Sequence, residues 1–173
     1  MEDPVSCVIN AAICAVREAF SADSPVPPLG GGTSKVRVFA GDAAPLAAWD
    51  AHRNDCDCTE PFLWVRLMRR YRTQTFPAPY VGPDPCPKPI VAAIEIRVGR
   101  CAAMTLEGCS WESYESEAEV SLDDSWRIEL ALCRVQALLK KDGCSDQQAT
   151  DVVIPYGPEG GVVAWIGTFY AQV

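Results

Sequence analysis

The sequence predicts an α+β fold: two helices packed on one face of a mixed, mostly antiparallel sheet, with a long Pro-rich loop and a C-terminal β-hairpin. Three observations predict it. Over residues 90–99, the even-numbered positions are all aliphatic, and the odd-numbered positions between them change from apolar to charged residues and glycine. Strict alternation of this kind is typical of a strand. Amphipathic helical patterns lie on both sides of a strand-rich middle. The strands are joined by hairpin-type connections, which favours α+β over a parallel α/β sheet.

Length and composition fit one domain spanning residues 1–173. At 173 residues the chain is long enough to bury a core without metal or disulfide bridges, and its hydrophobic content of 49% is ordinary for a globular protein. The net charge of −8 disfavours a conventional duplex-DNA binder, which needs cations to replace the counter-ions of the phosphates. No apolar run reaches the roughly 18 residues of a membrane span. The N-terminus lacks the basic region of a secretory signal.

The first helix is predicted over about residues 4–20. Asp3 suits its N-cap and Pro4 its first helical position, and apolar residues then recur with helical spacing. A linker rich in Pro and Gly leads to a short strand over about residues 35–40. The polar connection after that strand is predicted to hold a short helical turn over residues 43–51.

Two long strands, over about residues 62–72 and 89–101, are predicted to pair antiparallel at the centre of the sheet. In the second strand, one face is aliphatic and is expected to lie on the core. The other face turns from apolar to charged, so we expect it to meet water or a partner subunit. The Pro-rich segment 76–89 is too long for a tight hairpin and is predicted to project as a stiff arm.

The second helix is predicted over about residues 122–141, with Ser121 as its N-cap and Gly143 as its stop. Its apolar arc is broad enough to contact both the sheet and a second surface, for which the first helix is the obvious candidate. A hairpin over about residues 151–171 closes the fold around the turn residues 156–161.

Nine cysteines are many for a protein of a reducing compartment, and an odd count cannot pair completely within one chain. Most of them stand where a small hydrophobic residue would fit, so we expect them to be reduced and to fill the core. A disulfide from Cys56 or Cys58 to Cys86 is an alternative. The nine are Cys7, Cys14, Cys56, Cys58, Cys86, Cys101, Cys109, Cys133 and Cys144.

Three of these cysteines and the sole histidine could in principle bind zinc: His52, Cys56, Cys58 and Cys86. Only one residue separates Cys56 from Cys58, whereas structural zinc sites use pairs separated by two to four residues. We therefore expect no metal and no other cofactor, and a small zinc-binding interaction module is a weak alternative.

The sequence contains no nucleophile elbow, P-loop or dinucleotide fingerprint. The paired carboxylates Asp123 and Asp124 are explained by their place near a predicted helix N-terminus. A thiol enzyme with Cys56 as nucleophile and His52 as base is the weakest hypothesis. The sequence therefore predicts a protein that is not an enzyme.

Charged residues of opposite sign are concentrated in two places. Six arginines lie on the two central strands, and an acidic stretch over residues 105–120 precedes the second helix. The arginines would need no function if they lay on solvated strand faces or paired across strands with Glu95. The acidic stretch would need none if it were a solvated loop. Alternatively, the arginines of one copy meet the acidic stretch of its neighbour, as a head-to-tail ring requires. The predicted interface residues are Trp64, Arg66, Arg70, Arg97, Trp165 and Phe169, and the acidic segment comprises Glu112, Glu115, Glu117 and Glu119.

The order of elements and several segments have a counterpart in one known family. An N-terminal amphipathic helix precedes three strands, of which the third reads IEIRVGRC. The segment FLWVRLMRRYRTQTFPAP comes before a loop containing Cys and Pro, and the long helix contains LDDSWRIELALCRVQALL ahead of a closing hairpin. This pattern, which spans most of the chain, resembles the tail terminator proteins of long-tailed bacteriophages, especially phages of actinobacteria.

The resemblance implies a structural virion protein of the phage neck. Tail terminators form a hexameric ring that caps the tail tube, stops its polymerisation and docks to the head-side connector. The implied partners are further copies of the chain, the tail tube protein, a head-to-tail stopper or adaptor, and double-stranded DNA that passes through the lumen without sequence-specific binding. The acidic segment would suit the lumen wall. Assembly would take place in the host cytoplasm, without a membrane, and a stopper or adaptor of the same neck is the alternative.

Overall fold

The computed structural model describes residues 3–56, 58–102 and 110–173. Within them the fold is α+β, with three helices and a mixed sheet of seven strands. The helices are α1 (Val5–Ala19), α2 (Leu46–Cys56) and α3 (Trp111–Asp142). The strands are β1 (Val36–Val38), β2 (Phe62–Thr75), β3 (Ala78–Pro79), β4 (Ile90–Cys101), β5 (Gln147–Thr150), β6 (Ile154–Glu159) and β7 (Val162–Gln172). None of the helices in these three ranges is both long and apolar enough to cross a bilayer.

The alternating strand β4 lies at the centre of the sheet. The strand order is β1-β2-β4-β7-β5, with β3 attached to β2 and β6 attached to β7. The antiparallel pairing of β2 with β4 is confirmed and runs from Phe62 opposite Gly99 to Arg72 opposite Ile90. β1 runs parallel to β2, which makes the sheet mixed.

Helix α1 begins one residue later than predicted, with Pro4 and not Asp3 as its N-cap, but Asp3 still bonds to the first turn. The Asp3 carboxylate accepts a hydrogen bond from the backbone N–H of Val5 at 3.1 Å, and the Asp3 carbonyl accepts one from Ser6 at 2.9 Å. Two of the N–H groups that every helix start leaves without a partner are thereby satisfied.

One face of the sheet carries the main core. Side chains of β2, β4 and β7 form one buried cluster with side chains of α1 and α3. Fully burying one aliphatic side chain contributes about 1.5–3 kcal/mol to folding, so this cluster dominates stability. Its fully buried members include Val8, Val16, Leu63, Val65, Ile94, Ile96, Ile128, Leu132, Val135 and Phe169.

The opposite face of the sheet is covered at one end. Helix α2 brings Trp49 onto Phe62 and Trp64, and the three side chains form a second buried cluster. The segment 43–51, predicted as a single helical turn, thus contributes to an eleven-residue helix. On β4, the prediction that this face meets water or a partner is wrong for Val91, Ala93 and Glu95, which are buried within the chain.

Helix α3 begins eleven residues before the predicted start. Its N-cap is Ser110, whose side chain accepts a hydrogen bond from Ser113 N–H, and not Ser121. The Ser121 hydroxyl instead accepts a hydrogen bond from the indole N–H of Trp165 at 2.9 Å. The predicted stop is confirmed, because Gly143 adopts a left-handed conformation with φ of +66°.

The C-terminal hairpin is confirmed with shifted boundaries. β6 continues to Glu159, so the turn between β6 and β7 is formed by residues 160–161. β5 was not predicted; it pairs antiparallel with residues 169–172, on the side of β7 where β6 pairs with residues 162–166. Because β4 occupies the other side, β7 is an interior strand over its whole length.

The cysteines depart from the prediction of reduced core residues. Disulfides join Cys7 to Cys144 and Cys58 to Cys101. The free cysteines of the described residues are Cys14, Cys56, Cys86 and Cys133, and none of them is buried. Sequence spacing could not reveal these pairs, because each joins residues that only the folded sheet and helices bring together. Cys109 lies outside the described residues.

The Pro-rich segment between β2 and β4 is held at its base. The Tyr71 hydroxyl donates to the carbonyl of Pro77 at 2.6 Å, and the Lys88 ammonium lies 4.3 Å from the centre of the Tyr80 ring. Beyond these contacts, residues 81–87 are exposed.

Candidate functional site

The four predicted zinc ligands are not brought together. Cys58 is bonded to Cys101, which removes its thiolate as a ligand. Cys86 lies in the exposed part of the Pro-rich segment. Across the described ranges, no group of three or more His, Cys, Asp or Glu side chains is placed to hold a metal ion. The zinc alternative based on His52, Cys56, Cys58 and Cys86 is therefore wrong.

His52 and Cys56 do meet, one turn apart on α2. The Cys56 sulfur lies 3.4 Å from Nε2 of His52, and that nitrogen also lies 3.1 Å from the carbonyl oxygen of Glu60. The imidazole packs between the rings of Trp49 and Phe62, with centroid distances of 5.8 and 4.9 Å. The half-buried ring therefore packs against Trp49 and Phe62 of the second buried cluster.

Two of the predicted interface arginines form an internal ion cluster. Arg66 donates to both carboxylate oxygens of Glu95, at 2.6 and 3.0 Å, and Arg97 does the same at 2.5 and 3.0 Å. Burial alone would raise the pKa of Glu95, but the two guanidinium groups outweigh it and hold that pKa below its usual value. Arg66 and Glu95 are buried, so the prediction of Arg66 as an interface residue is wrong.

The predicted aromatic interface residues are also internal. Trp64 is buried against Phe62 and Trp49, and Phe169 is fully buried in the main core. Trp165 is half-buried and holds Ser121 of α3. Alternation along the strands could not reveal this, because both faces of the sheet are partly covered by helices.

Of the six predicted interface residues, Arg70 is the exposed one. It forms an ion pair with Asp3, and the neighbouring Arg69 is also exposed, with its guanidinium 5.0 Å from the centre of the Tyr71 ring. Arg72 donates to the carbonyl of Lys88 at 2.7 Å. Arg69, Arg70, Arg72 and Lys88 form what we term the basic end of the sheet, where β2 finishes and β4 begins.

The acidic segment lies at the opposite end of the sheet. Residues 111–119 form the first turns of α3, and all of them except Glu117 are exposed; Glu117 is half-buried. The buried positions of α3 begin only at Asp124, where the carboxylate binds Arg100 near the end of β4. We term residues 111–119 the spur, because they extend about 13 Å along the helix axis before the buried part begins. The predicted residues 105–109 lie outside the described part.

The position of the spur at the start of a helix explains in part why glutamates occur there. Glutamates near a helix N-terminus are stabilised by the unpaired N–H groups there. A hydrogen bond from Ser110 lowers the pKa of Glu112, with a smaller contribution from its own backbone N–H. The segment was predicted as helix-leading loop because its sequence lacks an apolar stripe facing the sheet.

Helix α3 also exposes apolar side chains on its outer face. Trp111, Leu122, Trp126 and Leu130 expose 82%, 67%, 62% and 44% of their surface. The predicted broad apolar arc is therefore two separate faces: Ile128, Leu132, Val135 and Leu139 are buried in the core, whereas Leu122, Trp126 and Leu130 face outwards. Isolated exposed apolar residues are ordinary, but a series along one helix face marks an interaction surface.

Comparison with models of protein families finds no match to this chain, and a search of curated proteins finds no relative.

Proposed function

We propose that the chain is a structural subunit of the neck of a long-tailed phage. It is a tail terminator, and its copies form a hexameric ring on the tail tube. The ring stops polymerisation of the tube and joins it to the head-side connector, and DNA passes through its lumen. The resemblance of sequence segments and element order motivates this proposal, and one structural observation supports it.

That observation is the opposite charge of the two ends of the sheet. The basic end carries Arg69 and Arg70, both exposed, of which Arg70 forms an ion pair with Asp3 of its own chain, whereas the spur carries four glutamates at the other end of the same strands. Copies related by rotation about a ring axis bring the spur of one against the basic end of the next. Such a contact repeats until the ring closes, and the complementary charges set its register.

The helical layer, the Pro-rich arm and the net charge also support a ring subunit. The layer formed by α1 and α3 gives a stiff block behind the sheet, and the Pro-rich arm beside the basic end extends toward a neighbour in the ring. An acidic chain of net charge −8 also suits a channel that DNA passes without binding.

Charge reversal tests the ring contact. We expect R69E/R70E to leave tail tubes unterminated in an assembly reaction, since the spur then meets like charge. Adding E115K/E119K to the same chain should restore termination. A matched control, R37E/R53E, reverses two exposed arginines away from the basic end and should terminate tubes normally.

Electron microscopy of tube length and of ring stoichiometry on the tail gives the readout. A ring at the head-side connector, away from the tube end, would identify the stopper or adaptor instead. Tubes of normal length with R69E/R70E would contradict the proposed contact, and absence of the chain from assembled necks would contradict the function.

A further inference from the structure

The outer face of α3 carries a continuous apolar stripe over most of the helix. Its members recur at spacings of three or four residues, close to one helical turn, so they lie along one side of the helix. This side is opposite the positions that α3 buries in the core, which include Asp124, Ile128, Ala131 and Val135. The outer stripe consists of Trp111, Tyr114, Ala118, Leu122, Trp126, Leu130, Cys133 and Ala137, and every member is exposed.

The charges beside the stripe are separated along the helix. The first third carries the glutamates of the spur, and the last turn carries Lys140 and Lys141. A second copy of α3 lying antiparallel would therefore place acidic turns beside basic turns at both ends of the contact. A parallel copy would place glutamates beside glutamates, which is unfavourable.

We propose that the free chain forms a two-fold dimer through antiparallel pairing of the outer stripes of two α3 helices. A two-fold axis at Trp126 gives the self-complementary register. Leu122 of each copy then lies opposite Leu130 of the other, and Glu112 lies opposite Lys140. Trp126, one of three exposed aromatic residues of the stripe, thus lies at the centre of the contact, where most binding energy is found.

A groove runs beside the outer stripe and can accommodate side chains of the partner helix. It has a volume of about 500 Å³ and lies between α3 and α1, with Trp126, Leu130, Ala15 and Val26 among its lining residues. Val26 exposes 72% of its surface and extends the apolar area beyond the helix. The lining of the groove is half apolar and half polar or charged, so the partner helix meets apolar side chains beside the stripe and charged ones at the edge of the groove.

The dimer is distinct from the proposed ring. Both contacts use the spur, so a spur that is packed along the partner helix in the dimer cannot also contact the basic end of a neighbour in the ring. The inference concerns the purified chain alone, and its outcome is measured without tails or tail tubes.

The mass of the native protein in solution tests the dimer. We expect twice the chain mass of 18.8 kDa, and we expect W126E to raise the dissociation constant about 30-fold or more. Trp126 is mostly exposed, so the substitution leaves the fold intact, which circular dichroism checks. The matched control is V81E, at a residue exposing 94% of its surface in the Pro-rich arm, and it should remain a dimer.

Two further experiments test the antiparallel register. E112K and K140E should each weaken the dimer several-fold, and the double variant E112K/K140E should recover it. Glu119 lies opposite Cys133 in this register, so E119C treated with a mild added oxidant, which takes up the two electrons, should form an intermolecular disulfide to the native Cys133. Mass spectrometry of the linked peptides identifies it.

A monomer at high concentration, or a dimer that W126E leaves unchanged, would overturn the inference. Protection of the stripe only in assembled necks would also overturn it, in favour of another neck protein as occupant. Each of these results leaves the ring test to be decided by its own variants, R69E/R70E and E115K/E119K.

Discussion

The Glu95 carboxylate provides the counter-charge for two arginines, buried Arg66 and half-buried Arg97. It accepts two hydrogen bonds from each of Arg66 and Arg97, and only 5% of its own side chain is exposed. Cross-strand pairing of Glu95 with arginines was one interpretation of the sequence, and it is confirmed for Arg66 of β2, whereas Arg97 lies on β4 with Glu95. The burial of this ion cluster within a single chain could not be predicted from the sequence. α2 and its flanking loop were not expected to cover this face of the sheet.

We expect E95Q to lower the free energy of unfolding by about 3–5 kcal/mol, because it leaves two guanidinium groups without a counter-charge. Urea denaturation measures the change. E159Q is the matched control, since Glu159 is exposed on the hairpin, and it should change stability by less than about 0.5 kcal/mol. Equal effects of the two variants would contradict the structural role of Glu95.

Acid should weaken the same cluster. The pKa of Glu95 in the folded chain lies below its usual 4.5, so the stability it contributes is present above about that pH. It is lost as the pH falls through the lowered folded-state pKa. Unfolding measured from pH 6 to pH 2 should therefore show a loss at the acid end that is smaller in E95Q. An identical acid profile in both proteins would contradict this expectation.

Helix α3 shows what sequence patterns can and cannot reveal about an element. Its end was predicted correctly because Gly143 and the preceding lysines are local signals. Its start was missed because the spur contacts little of the sheet and so shows no core-facing stripe. The two opposite apolar faces merged into one broad arc in the sequence, since periodicity does not tell which face lies on the core.

Gly167 of β7 sets how closely α3 approaches the sheet. A Cβ atom added there would lie 2.6 Å from Cγ2 of Ile128 and 3.1 Å from Cδ1 of Leu132. We expect G167V to cost about 1–3 kcal/mol of stability, because the helix must shift to accommodate it. Thermal or urea unfolding measures the loss.

Gly99 of the neighbouring β4 offers the comparison. The nearest atom to a Cβ added there is Cζ3 of Trp64, at 3.3 Å, so G99A should cost less than G167V. A larger loss at Gly99 than at Gly167 would show that α3 is not the limiting contact.

At the scale of the whole molecule, the disulfide Cys7–Cys144 joins the start of α1 to the residue after the cap of α3, over a separation of 137 residues. A link over so long a loop restricts the unfolded chain strongly. The order and type of most elements could be predicted from the sequence, but such long-range links could not, because no local pattern records them.

Thiol labelling of the folded protein tests both disulfides. We expect Cys14, Cys56 and Cys86 to react in the absence of reductant, whereas Cys7, Cys144, Cys58 and Cys101 react only after reduction. Cys133 lies in the proposed dimer contact, so we expect it to react readily only where W126E separates the two copies. Peptide mass spectrometry identifies the labelled sites. The double variant C7S/C144S should lose about 2–5 kcal/mol of stability. Labelling of Cys7 before reduction, or unchanged stability in the double variant, would contradict the link.

The interior position of β7 has a consequence for synthesis in the cell. On the ribosome, β2 and β4 emerge before the strand that lies between β4 and β5. Until residues 162–172 leave the exit tunnel, a nascent chain presents the hydrogen-bonding groups along one edge of β4 without the strand that pairs with them. A translational pause before this segment would prolong that interval, and co-translational chaperones would be needed most at that point.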